Sequence, residues 1–524
     1  MAGELPTIWM SEDPRYSRVL GQFPGYLPAA TIARLEMIRQ ARMLFDGRHR
    51  ELFLTEGRTQ YSFRQVRTVN GGQKTLYVPM NVLRLVAMKS ADLLFGKVPL
   101  VASDDETAQQ VIDDITERSG LHQVLYQAAM DAAVEREAFI EAIIYDAQVY
   151  LQQIPNDEIE PIGRMMPDGQ YKQYLRRETA SDGKDAYLLQ STYSAGSISR
   201  KCFRISEASV ANAFGSSQTA TIDALPDLEQ WNKITGQELA PEQATNIPWN
   251  TITWIPNLMI RKRPVSDFDG VIELQDTLNA KCSQLALVIL KHSQPKLIVP
   301  EQAFDEDGSL PDKEVYVARS GDPDAKYLTW DAQLAAALQD RGFILNQILV
   351  QTETSPVLLG LKEGAAPDAY RKVRLEAFNS LTKAARRSVY WTEGLRTATR
   401  TALMLDATIP GHGGYVESTI SVQLRDGIPE DETDLANRLA VLKTADIVDD
   451  EWCLEQLISD PSEVEEILAR KAEKAKAMTP SILMTQEPGA TDRNQQSEVG
   501  SQQTDVTTEK AGGVTGSTKD TNAA

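Results

Sequence analysis

Two helical patterns that flank a short segment of strands and turns are the feature that most constrains the fold of this chain. The first covers residues 266–292, with Ser266 or Asp267 as the predicted N-cap, and the second covers residues 331–353. Apolar side chains form one stripe along the first helix: Val271, Leu274, Leu278, Leu285 and Ile289. Helices of similar length around a small insertion predict an up-and-down hairpin, and its tip, residues 293–330, can contact a partner.

The segment after the second helix interrupts the helical pattern. Pro356 and Pro367 oppose helix formation, because proline lacks an amide hydrogen and clashes with the preceding turn. Gly360 and Gly364 allow the backbone to bend. We therefore predict a loop over residues 354–368 in which no helix survives.

A long basic helix is predicted after this loop, from Asp368 to about Leu405. Beyond Asp368 at its start, its acidic residues are Glu376 and Glu393. Its basic residues are Arg371, Lys372, Arg374, Lys383, Arg386, Arg387, Arg396 and Arg400. A strand, Thr419–Leu424, is predicted to follow.

The remaining sequence mixes helices with short strands, so the predicted fold class is α+β and mainly helical. Helices are predicted over Thr31–Phe45, over Asn81–Phe95 with Gly96 at its end, and over His122–Ile144. Tyr145–Ile154 is predicted as a strand, and β-like stretches continue to residue 265. Two helices, residues 431–444 and 449–477, precede a polar tail, 478–524, whose composition predicts disorder.

Composition narrows the class of protein. At 524 residues the chain is too long for one compact core. Its net charge of −20 argues against a protein that binds nucleic acid tightly, but it is compatible with one that lets DNA slide past.

Three widely spaced cysteines suit a reducing compartment, and neither a signal peptide nor a membrane-spanning run is recognisable. We expect a soluble intracellular product.

The usual signatures of catalysis are missing from the sequence. It contains no GxxxxGK[ST], GxGxxG, GxSxG or HExxH motif, and its four histidines are not spaced as a metal pair. The acidic clusters at residues 104–106 and 449–451 are suitable for Mg²⁺, but they stand at predicted helix starts, where acids are favoured anyway. We predict no catalytic residue, no metal and no cofactor, and therefore no enzyme.

Four stretches, taken in order, resemble the portal, or head-to-tail connector, proteins of tailed bacteriophages. The most distinctive is Tyr77–Pro99, which contains the pattern LFG-x-x-P at Leu94–Pro99. The others are the start of the first hairpin helix from Ser266 through Ser283, the segment Leu359–Gly364 before the basic helix, and Gly427–Glu432. The match to this family is weakest over residues 150–250.

The resemblance implies a ring subunit with a defined layout. Residues 1–265 would form a wing, 266–292 and 331–353 two stem helices, and 293–330 a small β-containing clip between them. Residues 354–368 would be a tunnel loop, 369–428 a long tunnel-side wing helix and strand, 429–477 a helical crown, and 478–524 the disordered tail. The expected assembly is a homo-oligomeric ring of about twelve copies.

The resemblance also implies partners and sites. The ring would sit at one capsid vertex of the virion after assembly in the host cytoplasm, and double-stranded DNA would pass through it during packaging and ejection. Expected protein partners are the terminase large subunit, the major capsid or scaffold protein and a head–tail adaptor, with no membrane. DNA-facing candidates in the tunnel loop are Leu359, Gly360, Lys362, Glu363 and Gly364, and docking candidates in the clip are Asp305, Asp307, Asp312, Lys313 and Glu314. We expect the cations of the long helix to pair with acidic residues of neighbouring subunits rather than with DNA.

Two other classes of protein remain open at this point. One is a different structural component of a phage head, such as a capsid or adaptor subunit. The other is an enzyme with a divergent site, for example a nuclease. The helix hairpin that follows a large mixed domain favours the portal over both.

Overall fold

The structure is a computed structural model. It describes residues 27–67, 72–182, 185–206, 223–292, 296–298, 326–328, 334–361, 370–413, 418–425, 427, 432–445, 447–457, 464 and 466–471. The chain divides into two compact units, Met1–Asp431 and Glu432–Ala524. In the described residues helix outweighs strand, which confirms the α+β, mainly helical fold class.

Helices dominate the first part of the larger unit. Its elements are α1 (Ala29–Phe45), a π-helical turn (Glu51–Thr55), β1 (Gln65–Arg67), β2 (Gln73–Thr75), α2 (Val82–Phe95), β3 (Leu100–Ser103), α3 (Glu106–Ser119) and α4 (Leu121–Glu135). The start of α2 is as predicted, because the Asn81 side chain accepts a hydrogen bond of 3.2 Å from the Arg84 amide. Gly96 forms its C-cap.

The helix predicted over residues 122–144 is wrong in its second half. α4 ends at Glu135, Arg136 has a left-handed φ of 85°, and Glu137–Tyr145 forms strand β4. Most of β4 is buried, since it is the central strand of a sheet between β5 (Gln148–Ile154) and β12 (Ile252–Pro256). A strand covered on both faces has a continuous apolar run, and periodicity does not separate such a run from a buried helix.

The predicted β-rich region forms antiparallel sheets. Its further elements are β6 (Ile159–Met165), β7 (Tyr171–Ser181), β8 (Asp185–Ser194), β9 (Ser197–Ser206), β10 (Asp223–Ala224), α5 (Glu229–Thr235), β11 (Glu242–Ala244), β13 (Met259–Ile260) and β14 (Arg263–Pro264). The main sheet has the order β10-β9-β8-β7-β6, and β11 also pairs with β9. Consecutive strands are neighbours, which is typical of hairpin connections.

The two hairpin helices are α6 (Ile272–His292) and α7 (Leu334–Gln351), and they pack against each other. Between them the structure describes a strand pair, β15 (Lys296–Ile298) and β16 (Lys326–Leu328). The predicted N-cap at Ser266 or Asp267 is wrong, because α6 begins only at Ile272. Ser266 instead donates to the Ala133 and Val134 carbonyls at the end of α4.

The segment after α7 contains a short 3-10 helix, Pro356–Leu359, where we predicted no helix at all. A proline is tolerated in the first turn of a helix, where its missing amide has no partner to lose. The long basic helix is interrupted at the buried Ala377 and forms α8 (Tyr370–Glu376) and α9 (Phe378–Asp406). Strand β17 (Ile420–Gln423) then pairs with β3.

The smaller unit contains α10 (Glu432–Thr444) and α11 (Asp450–Leu457). The second helix predicted here, over residues 449–477, is therefore described only to Leu457, with a further helical stretch at 466–471. The tail predicted to be disordered, 478–524, lies outside the described residues.

Candidate functional site: the junction of the helix hairpin and the long helix

The described residues include only part of the predicted site. Leu359 ends the 3-10 helix and is half-buried, and Gly360 caps that helix with a left-handed φ of 67°. Outside the described residues lie the other loop candidates, Lys362, Glu363 and Gly364, and the five clip candidates, Asp305, Asp307, Asp312, Lys313 and Glu314. What the structure does describe is the junction where the loop leaves α7 and meets α9.

Side chains of α9 hold the first residues of the loop. The Ser355 amide donates to Ser380 Oγ at 2.8 Å, and Ser380 Oγ donates to the Glu353 carbonyl at 2.9 Å. Lys383 Nζ donates to the Thr352 carbonyl at 2.9 Å. The end of α7 and the start of the loop are therefore fixed to the long helix.

A buried ion cluster lies directly behind this anchor, formed by Asp267, Lys383 and Arg387. Asp267 Oδ2 lies 2.8 Å from Lys383 Nζ and 3.8 Å from Arg387 Nη1. Ser90 of α2 donates to the same oxygen at 2.5 Å. The cluster thus joins α2, the segment before α6 and the long helix, which explains why Asp267 is not a helix cap.

The pKa values in this cluster follow its geometry. Burial alone would raise the pKa of Asp267, but the charges of Lys383 and Arg387 outweigh burial and lower it to about 2. Burial lowers the pKa of Lys383 and that of Arg387, and the charge of their one shared carboxylate, Asp267, does not outweigh it. Asp267 is thus firmly ionised in the folded protein.

Several cations of the long helix have intrachain partners, so our expectation that they pair with neighbouring subunits is wrong for these side chains. Lys383 and Arg387 pair with Asp267, and Arg386 pairs with Glu353. Arg396 donates to the Ile420 carbonyl at 3.1 Å, which attaches β17 to α9. Sequence patterns do not reveal such pairs, because Asp267 is more than a hundred residues distant in the chain.

A polar stripe attaches the first hairpin helix to the N-terminal region. Gln275, Asn279 and Ser283 are spaced four residues apart on one face of α6, and all are buried. Asn279 Oδ1 accepts from the Met80 amide at 2.9 Å, and Ser283 Oγ accepts from the Val78 amide at 2.8 Å. Our sequence reasoning missed this role, although polar residues at helical spacing were the signal that could have revealed it.

Two of the motifs that carry the family resemblance meet in space. A Cβ added to Gly427 would lie 1.9 Å from the Asp92 carbonyl oxygen and 3.0 Å from the Gly96 Cα. A Cβ on Gly96 would lie 2.8 Å from the Gly427 Cα. Neither position has room for a side chain, so the LFG motif at the end of α2 and the glycine before Ile428 form one backbone contact.

A second ion network lies at the C-terminal end of α4; we call it the N-terminal network. Its members are Arg34 and Arg42 of α1 with Glu135, Glu137 and Asp157. Arg42 contacts Glu135 at 2.6 Å and Asp157 at 2.7 Å, and Arg34 contacts Glu137 at 2.6 Å. Burial alone would lower the pKa of Arg42, but the two carboxylates outweigh burial and raise it.

Metal groups and membrane-spanning helices are both absent from the part of the chain that the structure describes. There, no group of three or more His, Cys, Asp or Glu side chains is arranged to hold a metal ion. No helix among those residues combines the length and apolar character needed to cross a membrane.

One part of the chain is similar to a known protein family. Residues 252–477 match the family described as phage portal protein, SPP1 Gp6-like. The matched range begins at β12, includes the hairpin, the loop and the long helix, and extends into the smaller unit. The resemblance to phage portal proteins that the sequence motifs indicated is thereby confirmed for this part of the chain.

Similar solved structures come from the necks of gene transfer agent particles. The neck of a native particle computed with C12 symmetry is 10% identical with a TM-score of 0.38, covering 72% of this chain and 89% of that chain. The neck of an empty particle computed with C6 symmetry is 11% identical with a TM-score of 0.34, covering 70% and 86%. These TM-scores are too low to establish a common fold. No curated protein matches the chain.

Proposed function

We propose that this protein is the portal subunit of a tailed phage or phage-like particle, a ring-shaped channel for DNA packaging and ejection. The observation that carries the proposal is the portal-family match over residues 252–477, because that range contains the whole hairpin, loop and long helix. In this proposal the ring has about twelve copies, stands at one capsid vertex and contacts the capsid or scaffold protein. The protein itself performs no catalysis.

The proposed layout assigns a role to each region. Residues 1–265 form the wing, α6 and α7 the stem, residues 293–330 the clip, 354–368 the tunnel loop and 429–477 the crown. The clip docks the terminase large subunit and later the head–tail adaptor, with the acidic residues at 305–314 as candidates for contact. An ATP-driven motor has to be a separate protein, since this sequence has no phosphate-binding loop.

The junction supports the placement of the tunnel loop. Ser380, Lys383 and Arg386 fix the chain up to Ser355 on α9, so a change of loop conformation is restricted to later residues. Lys362 then contributes one cation per subunit to a channel of an otherwise acidic protein. Such a charge touches passing phosphates without holding them, because each phosphate contact adds only a small, salt-dependent part of the affinity.

A charge reversal at Lys362 tests the loop assignment. We expect Lys362→Glu to leave ring and procapsid assembly intact while it shortens the packaged DNA or reduces its retention. Lys172→Glu is the matched control, since Lys172 is exposed on β7, far from the proposed loop in sequence, and undergoes the same charge change. Normal packaged DNA length in Lys362→Glu contradicts the assignment of the tunnel loop, though not the ring itself.

Exposed apolar side chains on the stem support ring formation. Phe343 is 62% exposed and Val350 is 69% exposed in the single chain, and their spacing of seven residues puts them on one face of α7. Exposed apolar surface of this kind is typical of a contact with another subunit. We expect Phe343→Asp to reduce the fraction of rings, whereas Ile260→Asp, on the β13–β14 hairpin, leaves it unchanged.

Imaging of the purified protein separates the portal from the other classes. Rings with a central hole in negative stain, with a mass of about twelve subunits by mass photometry, are the expected result. A strictly monomeric globular particle at every protein and salt concentration contradicts the proposal and favours an enzyme. ATP turnover that persists after repurification and disappears with a point mutation in this chain contradicts the absence of catalysis.

A further inference from the structure

The junction contains a buried guanidinium whose hydrogen bonds are incomplete. Arg387 is only 1% exposed, and its one carboxylate partner among the described residues is Asp267, at 3.8 Å. Among the same residues, its Nε and Nη2 atoms have no hydrogen-bond partner. A guanidinium only donates hydrogen bonds, so the missing partner has to be an acceptor.

A second unpartnered donor lies one turn further along the same helix. Trp391 is completely buried, and its Nε1 also has no hydrogen-bond partner in the described part of the chain. Residues four apart lie on the same face of a helix, but Trp391 packs edge-on against Phe95 in the apolar core and does not line the cavity beside Arg387. An indole nitrogen is likewise a donor only.

The charges of the cluster do not balance either. Lys383 and Arg387 are buried against a single carboxylate, that of Asp267. Glu353, at the rim, is half-exposed and pairs with Arg386, and its charge also acts on Lys383, so these two acids face three cations. The buried part of the junction therefore carries one excess positive charge, which a bound water molecule would leave uncompensated and a monovalent anion would neutralise.

A small cavity lies at this position. Its walls include Ser90, Lys383 and Arg387, together with Glu353 at the rim, and its volume is about 10 Å³. That volume is at the lower limit for one water molecule, so the site has room for at most a single-atom anion, with small shifts of the surrounding side chains. We propose that the junction binds one small monovalent anion of the chloride class beside Arg387 and Lys383, a site that does not depend on the proposed function.

Halide-dependent melting of the full-length protein tests this site. We expect the wild-type protein to melt at a higher temperature in sodium chloride than in sodium gluconate at equal ionic strength, with a shift that saturates as chloride rises. Arg387→Met removes the excess charge and should melt at the same temperature in both salts. Arg396→Gln, which removes a half-exposed cation of the same helix, should keep the full chloride shift.

Bromide gives a direct measurement that does not rely on a variant. Crystals of the wild-type protein grown in bromide should show an anomalous difference peak next to the Arg387 guanidinium. The proposal is overturned if the peak is absent, or if the wild type lacks the chloride shift. It is also overturned if Arg387→Met retains the shift, since the effect would then arise elsewhere on the protein.

Discussion

The N-terminal network and the junction cluster are both built from arginine or lysine and buried carboxylates, yet their charge balance is opposite. In the N-terminal network two arginines face three carboxylates, and Arg42 contacts two of them. In the junction two cations share Asp267. The pKa of the central arginine is accordingly raised in the first region and lowered in the second.

The difference indicates what each region does. Arg42 has two carboxylate partners, so its charge is fully neutralised within the chain. Through these contacts the N-terminal network joins α1 to the end of α4 and to the β-rich region. A cluster in which two cations share one protein carboxylate relies on that carboxylate, and among the described residues the Arg387 Nε and Nη2 donors have no acceptor. The junction also holds the start of the proposed tunnel loop. A single substitution of a carboxylate should therefore destabilise the junction more than the N-terminal network.

Removal of the single counterion should have the largest effect. Asp267→Asn leaves Lys383 and Arg387 buried without a carboxylate, and we expect the free energy of unfolding to fall by about 3–5 kcal/mol. Chemical denaturation followed by tryptophan fluorescence, at one fixed protein concentration, measures the change. If Asp267→Asn lost less stability than Glu135→Gln in the N-terminal network, the dependence of the junction on Asp267 would be contradicted.

The corresponding change in the N-terminal network should cost less. In Glu135→Gln, Arg42 keeps its contact of 2.7 Å with Asp157, so we expect a loss of about 1–3 kcal/mol in the same denaturation experiment. The double variant Glu135→Gln/Asp157→Asn removes both carboxylates of Arg42. Its loss should exceed the sum of the two single losses, because only the double variant leaves the charge uncompensated.

The two regions should also differ in their dependence on pH. Burial, followed by the charge of Glu135, raises the pKa of Asp131 from 3.8 to about 7 at the edge of the N-terminal network. The stability contributed by protonated Asp131 is complete below about pH 4 and is lost as the pH rises through about 7. Asp267, whose pKa is lowered to about 2, contributes stability above about pH 4 that is lost as the pH falls through about 2.

Melting temperatures measured between pH 4 and pH 8 test this contrast. In the wild-type protein we expect a decline with rising pH that Asp131→Asn largely removes, because an amide does not titrate. Asp267→Asn should lower the whole curve without changing its slope above pH 4. An unchanged slope in Asp131→Asn would show that another group titrates in this range.

The smallest effect is expected for an exposed pair on the long helix. Glu393 and Arg396 form an ion pair one turn apart, and both side chains are more than 40% exposed. Glu393→Gln should change the free energy of unfolding by about 0.5 kcal/mol or less, because water screens the pair and its side chains lose entropy. If Glu393→Gln lowered the free energy of unfolding by as much as a junction variant, burial would not be what makes the junction pairs strong.

Local signals predicted the individual elements well where one face of an element is polar. The helix Val82–Phe95 with its Asn81 cap, the hairpin helices and the β-rich region all follow from spacing and turn residues. The strand Glu137–Tyr145 could not be predicted in this way, because most of its residues are buried on both faces and polar residues do not alternate with apolar ones. Likewise, the short helix after Ser355 depends on its contact with Ser380, which no local pattern records.

By itself, the sequence determined the α+β class, most of the longer helices and the resemblance to portal proteins, because these depend on residues that are close together in the chain. Only the tertiary structure decided which charges meet. Asp267, Lys383, Arg387 and Ser90 come from three distant segments, and the approach of Gly96 to Gly427 spans most of the larger unit. Burial makes these contacts strong, since a charge removed from water needs a nearby counterion, and burial is a property of the folded chain.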